Sequence, residues 1–292
     1  MLGSLLQLPQ IYTVSAARGC KTMILSNTRR TNCFQAETSM LDRSFLTEGV
    51  NGLVVDSIGL LVMITLRYLI AVSLAFVLIR RQPYPLDNED WHDLRLSVGS
   101  TVIFTAISLI AIKLYVDGHT RIYEQPSTYG WWYIGASYLI VLLLQDSYFY
   151  CSHRLFHLPQ FYHTTHRGHH RSRRPSAWTS FAFDPIESLA HASFLLGVVL
   201  VIPLHPVTIL AVLTTMTVWA VVNHLGLAEL PGHFPHHWLG RWVIGPAHHS
   251  VHHTHQDKHY GLYFTFWDKL MGTEDDGYNE RLCPHRQAKT IS

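Results

Sequence analysis

Four apolar blocks in the middle of the chain restrict its fold more than any other feature. They run over Leu53–Ile79, Ser97–Tyr115, Trp131–Tyr150 and Ser188–Val222. A helix of roughly 20 apolar residues crosses the hydrocarbon core of a bilayer. One block alone would also suit a buried helix of a soluble all-α protein. Because only 14% of the residues are charged, against roughly 25% in soluble domains, the four blocks together predict an integral membrane protein.

Two blocks depart from a simple crossing. The first contains Arg67, and a central arginine costs about 2.5 to 3.5 kcal/mol on insertion scales. This either weakens the case for that span or requires Arg67 to face the protein interior. The last block is too long for one crossing, and Pro203 and Pro206 divide it. We interpret it as a short helical hairpin that enters and leaves the membrane on the same side.

Basic residues indicate the orientation of the spans. Five arginines follow the third block: Arg154, Arg167, Arg171, Arg173 and Arg174. Since cytosolic loops carry an excess of Lys and Arg, we predict that this side faces the cytosol. The basic N-terminal tail would then lie on the opposite side, which conflicts with the same rule, so the orientation of the first span stays open. Residues 233–247, with two tryptophans, are predicted to lie along the bilayer surface.

Charge and cysteine content exclude other classes of protein. The net charge is +2, and no dense Lys/Arg face indicates a nucleic-acid partner. The four cysteines are far apart and form no CxxC pair, which argues against a disulfide framework or a cysteine zinc site and fits a reducing compartment. Histidine, by contrast, is abundant, with 21 residues, most of them beyond position 150.

Nine of these histidines form a pattern that is typical of metal ligands. They form three clusters, His153–His157, His166–His170 and His249–His253, and one single histidine, His224. Spacings of three and four residues within a cluster place side chains on one face of a helix, so each cluster is expected to reach a common centre. Nine ligands are too many for one metal and suit two. The candidate ligands are His153, His157, His166, His169, His170, His224, His249, His252 and His253.

The type of metal does not follow from the ligands alone, because imidazole binds zinc, copper, iron and nickel. A catalytic zinc site normally has three protein ligands, and soluble di-iron bundles use mainly glutamates. Neither arrangement fits nine histidines. A loose metal-buffering tract would show irregular histidine runs in a polar loop, whereas these clusters have helical spacing and adjoin the apolar blocks.

The clusters and their flanks resemble the fatty acid hydroxylase/sterol desaturase superfamily of membrane proteins. The resemblance covers roughly residues 130 to 275 and includes Gln145-Asp146, Asp184-Pro185, Asn223-His224, Tyr260-Gly261 and Trp267-Asp268. It implies a centre of two iron ions held by the nine histidines, with zinc as an adventitious substitute, and O2 as co-substrate. Some relatives carry a further histidine where this chain has Ala228; His233 and His248 are alternatives for a tenth ligand.

Carboxylates near the clusters are candidates for orienting the imidazoles, as metal-bound histidines usually require. Asp146 precedes His153 by seven residues on the same helical face and is the first candidate. Glu187, Glu229 and Asp268 are weaker ones, since each equally suits a helix end or a salt bridge. His163 and His248 are extra histidines expected at the rim or behind the ligands.

We therefore predict an all-α fold: a membrane bundle of about four spans, including the short hairpin, with a cytosolic helical cap holding a dinuclear metal site. The expected divisions are 1–50, a tail of uncertain role; 51–130, transmembrane helices 1 and 2; 131–275, the catalytic domain; and 276–292, a C-terminal tail. The compartment would be the endoplasmic reticulum in a eukaryote or the inner membrane in a bacterium.

The predicted activity is oxygen-dependent hydroxylation or desaturation of a lipid from the bilayer. The two reactions begin with the same hydrogen abstraction, and bulk lipid hydroxylation is slightly preferred. No haem-attachment, GxGxxG or iron–sulfur motif is present, so a separate b-type cytochrome, or a ferredoxin with its reductase, would supply electrons. The alternative is a metal transporter or metal-buffering protein, which predicts polar ligands forming a path through the spans.

Overall fold

The computed structural model describes residues 50–80, 86–173, 175–225 and 240–275. Within these ranges the only β pairing is two single bridges, Ile122 with Leu204 and Val243 with Phe264. The α-helices in these ranges are α1 Val50–Ala75, α2 Asn88–Val116, α3 Trp131–Phe156, α4 Pro159–Thr165, α5 Pro185–Val201, α6 Pro206–Asn223, α7 Pro246–Thr254 and α8 Phe266–Met271. The prediction of an all-α fold is confirmed.

Four of these helices, α1, α2, α3 and α6, are long and apolar enough to cross a bilayer, and α5 is an apolar helix of 17 residues. Their outer faces carry many exposed large apolar side chains, which suits contact with lipid. Trp131 and Trp132, at the start of α3, are 77% and 73% exposed, as expected for an interfacial belt. The chain is thus a multi-pass integral membrane protein.

The predicted helical hairpin consists of α5 and α6. Pro185 and Pro206 occupy the first turn of each helix, where proline is favoured because its missing N–H has no partner there anyway. The His205 side chain caps α6 by accepting a hydrogen bond from the Val207 N–H at 3.2 Å. Both helices pack on Val141 of α3. The start of α5 and the end of α6 lie at the same end of the bundle, beside the histidine clusters.

Two predicted spans are longer than expected. Helix α2 begins at Asn88 rather than Ser97, because Asp87 caps it: the carboxylate of Asp87 accepts from the N–H groups of Glu89 and Asp90 at 2.8 and 2.9 Å. Helix α3 continues to Phe156 rather than ending near Tyr150. The extra turns of α3 carry His153 out of the apolar span.

Polar contacts attach the chain after α4 to the first turns of α2. The buried Asp93 carboxylate accepts hydrogen bonds from Ser172 at 2.7 Å and Thr179 at 2.6 Å. Ser176 donates to Asp90 at 2.8 Å. These bonds fix Ser172 and residues 176–180, which lie close to the histidine clusters.

Some predictions lie outside the described residues. They include the N-terminal tail up to residue 49, the C-terminal tail, Arg174, Ala228, Glu229 and His233. Of the predicted interfacial segment 233–247, the described part begins at Gly240, forms a short 3₁₀ turn over Gly240–Trp242, and enters α7 at Pro246.

Candidate metal centre

All nine predicted ligand histidines come together at one end of the bundle, in two adjacent groups. Within each group, one nitrogen from every ring lies within 4.8 Å of the others. The first group consists of His153, His157, His166, His170 and His252, and the second of His169, His224, His249 and His253. Eight of the nine side chains are buried, while His157 is partly exposed. The groups are in contact, since the rings of His170 and His253 are 4.6 Å apart.

The division of the histidines differs from the expectation that each cluster reaches one common centre. His166 and His170 belong to the first group, but His169 belongs to the second. The reason is that this segment is not a continuous helix: α4 ends at Thr165, and a separate 3₁₀ turn begins at His169. Consecutive side chains therefore point toward different groups.

The third cluster is divided as well, although it lies on a regular helix, α7. His249 and His253, four residues apart, share the second group, while His252 joins the first. In the HxxxH cluster at the end of α3, both His153 and His157 belong to the first group, as the i, i+4 spacing predicts.

The ring nitrogens that face each other are Nε2 atoms. In the first group, the Nε2 of His153 lies 3.0 Å from that of His166, and the Nε2 of His252 lies 3.1 Å from those of His157 and His170. In the second group, the Nε2 of His249 lies 2.9 Å from that of His224 and 3.1 Å from that of His253. The Nε2 atoms thus converge on a point in each group.

The opposite ring nitrogens, Nδ1, are held by the protein. Five of them donate to backbone carbonyl oxygens: those of His153 to Tyr260 O, His169 to Ala182 O, His224 to Ala220 O, His252 to Lys258 O and His253 to Ser172 O, at 2.6 to 3.0 Å. A carbonyl only accepts, so the proton must sit on Nδ1. In a neutral ring this leaves Nε2 with a free lone pair, which is the form that binds a metal.

Burial keeps these rings uncharged. It lowers the pKa of His169 to about 4 and that of His224 to about 3, and the neighbouring histidines add to the effect. The pKa values of His170, His249, His252 and His253 are lowered well below the usual histidine value for the same reasons. Neutral imidazoles with convergent lone pairs repel each other unless a cation or shared protons lie between them.

The distances between the nitrogens fit metal ions bound between them. Two nitrogens bound to one ion at about 2.0 to 2.1 Å would be about 2.8 to 3.0 Å apart at right angles and about 3.3 to 3.4 Å apart at the tetrahedral angle. The Nε2 pairs, at 2.9 to 3.1 Å, lie at or near these distances. The five nitrogens of the first group exceed the four positions of a tetrahedral site, whereas the second group offers four. The residues present therefore fit two ions, one of which accepts more than four ligands.

Glu187 is the carboxylate that reaches a candidate ligand. Its Oε2 lies 2.9 Å from Nδ1 of His166, and its Oε1 lies 3.6 Å from Nε2 of His191, one turn along α5. Sequence reasoning ranked Asp146 above it, but Asp146 accepts from the backbone N–H groups of Tyr263 and Phe264 instead. Asp146 was ranked first because it lies on the same helical face as His153. The two residues are nevertheless two turns apart, a rise of about 10 Å along the helix, which is too far for direct contact.

Asp268 binds the same loop, residues 260–264, whose N–H groups also contact Asp146. Its carboxylate accepts from the N–H groups of Tyr260 and Gly261 at 2.8 and 3.0 Å, and from the Thr273 hydroxyl at 2.8 Å. Because Tyr260 O accepts from His153, both Asp268 and Asp146 support a ligand through the loop backbone. This indirect role has no signal in the sequence beyond the carboxylates themselves.

The extra histidines lie outside the two groups. His163 is exposed, and its Nδ1 is 3.5 Å from Arg167. His248 is buried, with its ring 5.0 Å from that of His259, and its Nδ1 accepts from the Gly245 N–H at 3.3 Å. His248 is therefore not placed among the convergent nitrogens of either group.

An apolar cavity of about 450 Å³ lies inside the bundle, and its inner end is lined by residues that contact the histidine groups. All five apolar helices contribute to its walls, and along α6 it extends from Pro206 to Ala220, a distance of about 21 Å. At its inner end lie Phe149, whose ring is 5.0 Å from that of His153, and Phe183, whose ring is 5.6 Å from that of His169. Its size is that of a small-ligand site.

A comparison with known protein families agrees with this arrangement. The model of the fatty acid hydroxylase family matches residues 138–273, which contain all nine histidines. This match assigns residues 138–273 to the fatty acid hydroxylase/sterol desaturase superfamily. No solved structure matches the chain significantly.

The superfamily members that resemble this chain include sterol-modifying enzymes. Delta(7)-sterol 5(6)-desaturase ERG3B of Gibberella zeae is 29% identical over 206 residues, which are 70% of this chain and 62% of that protein. Human lathosterol oxidase is 26% identical over 77% of this chain and 75% of its own length. Delta(7)-sterol 5(6)-desaturase ERG3 of Saccharomyces cerevisiae is 27% identical over 71% of this chain and 57% of its own length. These similarities support an oxidoreductase that acts on lipid.

Proposed function

We propose that this protein is a membrane-bound, O2-dependent di-iron oxidoreductase that removes hydrogen from, or hydroxylates, a C–H bond of a lipid. The observation that carries the proposal is the position of the two histidine groups, which lie behind Phe149 and Phe183 at the inner end of an apolar cavity within the membrane bundle. When bound there, a pair of iron ions would supply the redox chemistry by which O2 oxidises an unactivated C–H bond.

The protein residues prepare this reaction in three ways. The five backbone carbonyls and Glu187 orient the imidazoles, so that their Nε2 lone pairs converge before any ion binds. The rings of Phe149 and Phe183 separate the histidines from the cavity and exclude water from its inner end. The apolar walls bind the hydrocarbon of the lipid and place one of its carbons near the histidines.

For the substrate, we propose a sterol as the first class to test and desaturation as the first reaction. The relatives named above are sterol desaturases and a lathosterol oxidase, and the match to them covers 70 to 77% of the chain. Sequence patterns alone slightly favoured bulk lipid hydroxylation, which becomes the second candidate. A product with a new double bond or with a new hydroxyl group distinguishes the two.

Electrons are proposed to arrive from a separate protein on the face where His157 is partly exposed. Arg154, Arg167 and Arg171 are exposed on the same segments that carry the first two histidine clusters. A basic surface favours the approach of an acidic redox partner, such as a b-type cytochrome or a ferredoxin. The same face is proposed to be cytosolic, at the endoplasmic reticulum in a eukaryote.

The decisive experiment measures iron content and lipid oxidation for the same purified protein. Wild type in detergent is expected to hold two irons per chain and, with O2 and a reducing system, to convert lathosterol or a fatty acyl lipid. His170→Ala and His253→Ala each remove one ligand from a different group and should lose both iron and activity, while His163→Ala, outside the groups, should retain both. One iron or none in the wild type would contradict the dinuclear site.

The transporter alternative makes a different prediction. Transport requires polar groups that continue through the spans, whereas the described lining of the cavity is mainly apolar. Uptake of iron or zinc into vesicles that contain the protein would favour the transporter, and metal that stays with the protein without crossing would favour the enzyme.

A further inference from the structure

The first span carries an arginine whose role the metal centre does not explain. Arg67 lies in α1, eight residues before the end of that helix, and its side chain lines the apolar cavity. Its Nε atom is buried without a hydrogen-bond partner. Among the described residues, no hydrogen bond or ion pair is made by any part of the guanidinium, and no acidic residue lines the cavity.

Arg67 lies at the end of the cavity nearest the histidines. The next residue, Tyr68, donates a hydrogen bond to Trp178 O at 2.9 Å, and its ring stacks on that of Phe181 at 4.8 Å. Phe181 is two residues before Phe183, which stacks on the candidate ligand His169. The other end of the cavity, near Tyr115 and Pro206, is some 20 Å away along α6.

Three other polar side chains at this end have protein partners, and the Nε2 of His191 lies 3.6 Å from the carboxylate of Glu187. Tyr263 donates to Gln145 at 2.9 Å, Ser180 donates to Ala177 O at 2.7 Å, and Thr217 donates to Leu213 O at 2.9 Å. A guanidinium has five N–H donors, no acceptor, and a permanent charge. It is therefore the permanently charged group among the described residues that line this cavity, and a ligand that pairs with it must offer an oxygen acceptor.

We propose that Arg67 is a specificity-determining residue that binds the polar oxygen of the lipid. The lipid then enters with its polar end toward the histidines and its hydrocarbon along the cavity, so that oxidation occurs in the half of the molecule that bears the oxygen. A sterol hydroxyl and a fatty acid carboxylate both offer this acceptor. The position of oxidation rests on the proposed function, but the binding step does not.

The test compares lipids that differ only in their oxygen. Purified, iron-loaded protein is titrated with lathosterol and with its 3-deoxy counterpart, and separately with palmitate and with hexadecane, by displacement of a fluorescent lipid. A hydrogen bond to a charged group corresponds to about a 10- to 100-fold preference for the oxygen-bearing lipid. Arg67→Leu should reduce this preference to about one, and Arg67→Lys should restore part of it.

The matched control is Leu66→Ala, a neighbouring change on the exposed face of α1, which should leave the preference intact. If Arg67→Leu loses the preference for lathosterol over its 3-deoxy counterpart, the substrate is a sterol; if it loses the preference for palmitate over hexadecane, the substrate is a fatty acid. An unchanged preference in Arg67→Leu, or no preference by the wild type in either pair, would overturn the proposal. Loss of preference without turnover of any lipid would support Arg67 as the binding residue and contradict the proposed oxidation.

Discussion

At the scale of single residues, the candidate metal centre depends on which ring nitrogen carries the proton. Carbonyl oxygens fix the proton on Nδ1 of five histidines, whereas His166 faces the carboxylate of Glu187 at 2.9 Å. A carboxylate makes the opposite nitrogen a stronger donor to a metal than a carbonyl does, because it withdraws the Nδ1 proton more strongly. Glu187 is also fully buried, so its charge acts without screening by water.

Glu187→Gln is expected to weaken metal binding about 10- to 100-fold while leaving the fold intact, since such supporting carboxylates typically have effects of that size. The measurement is the iron retained per chain against rising chelator concentration. The control is Glu89→Gln, which changes an exposed carboxylate in the first turn of α2. Equal retention by wild type and Glu187→Gln would show that the contact with His166 does not support the metal.

At the scale of elements, the limits of sequence reasoning are clearest in the histidine clusters. The pair His153 and His157 was predictable, because α3 continues as a helix through both. His169 lies in a different group from His166 and His170, contrary to the expected common centre, because the N–H of Gly168 donates to the carboxylate of Asp184 at 2.6 Å and the helix does not continue. A β-carbon at Gly168 would collide with that carboxylate. Such a contact joins residues 16 positions apart, and local spacing cannot predict it.

The same limit applies to the supporting carboxylates. The seven-residue spacing from His153 made Asp146 the first candidate. In the structure, Asp146 instead binds the loop of residues 260–264, and the path of that loop is set by contacts with α3 and α8, which spacing within one helix cannot predict. The membrane helices were easier to predict, because lipid imposes a length and an apolar composition that are visible in the sequence. The ends of these helices were harder to predict, since the start of α2 depends on the cap formed by Asp87.

The loop that follows α7 leads to a prediction about pH. Burial raises the pKa of Asp268 to about 6, from about 3.9 in an unfolded chain. The folded protein then holds the Asp268 proton more tightly, so this residue favours folding below about pH 4 and loses that contribution as the pH rises through about 6. Between these values the difference in the free energy of unfolding between wild type and Asp268→Asn should fall by about 3 kcal/mol.

The measurement is denaturant unfolding of both proteins in detergent across this pH range. Histidines titrate in both proteins, so the difference between them isolates Asp268. Parallel pH curves would contradict the raised pKa and would mean that the three hydrogen bonds to the carboxylate keep it charged in the folded state.

At the scale of the whole molecule, the apolar helices and the histidine groups have separate tasks. The helices enclose a cavity, and the groups lie at one end of it. This separation predicts that the cavity can be filled without loss of the metal. Ala192 of α5 lines the cavity, and Ala192→Phe should abolish lipid oxidation while iron content stays at the wild-type value.

Leu189→Phe provides the control, since Leu189 lies on the exposed side of α5 and its replacement should leave oxidation unchanged. Oxidation and iron content are measured on the same preparations. Normal turnover by Ala192→Phe would mean that the substrate reaches the histidines by another path.

The division of neighbouring histidines between the two groups has a thermodynamic consequence. His169 and His170 are consecutive, as are His252 and His253, yet each pair serves both groups. In the proposed dinuclear site, an ion in one group would restrict further the backbone that presents ligands to the other group, so the second ion would lose less conformational entropy on binding. The two ions would then be coupled, and a population short of metal would consist mainly of empty and fully occupied molecules.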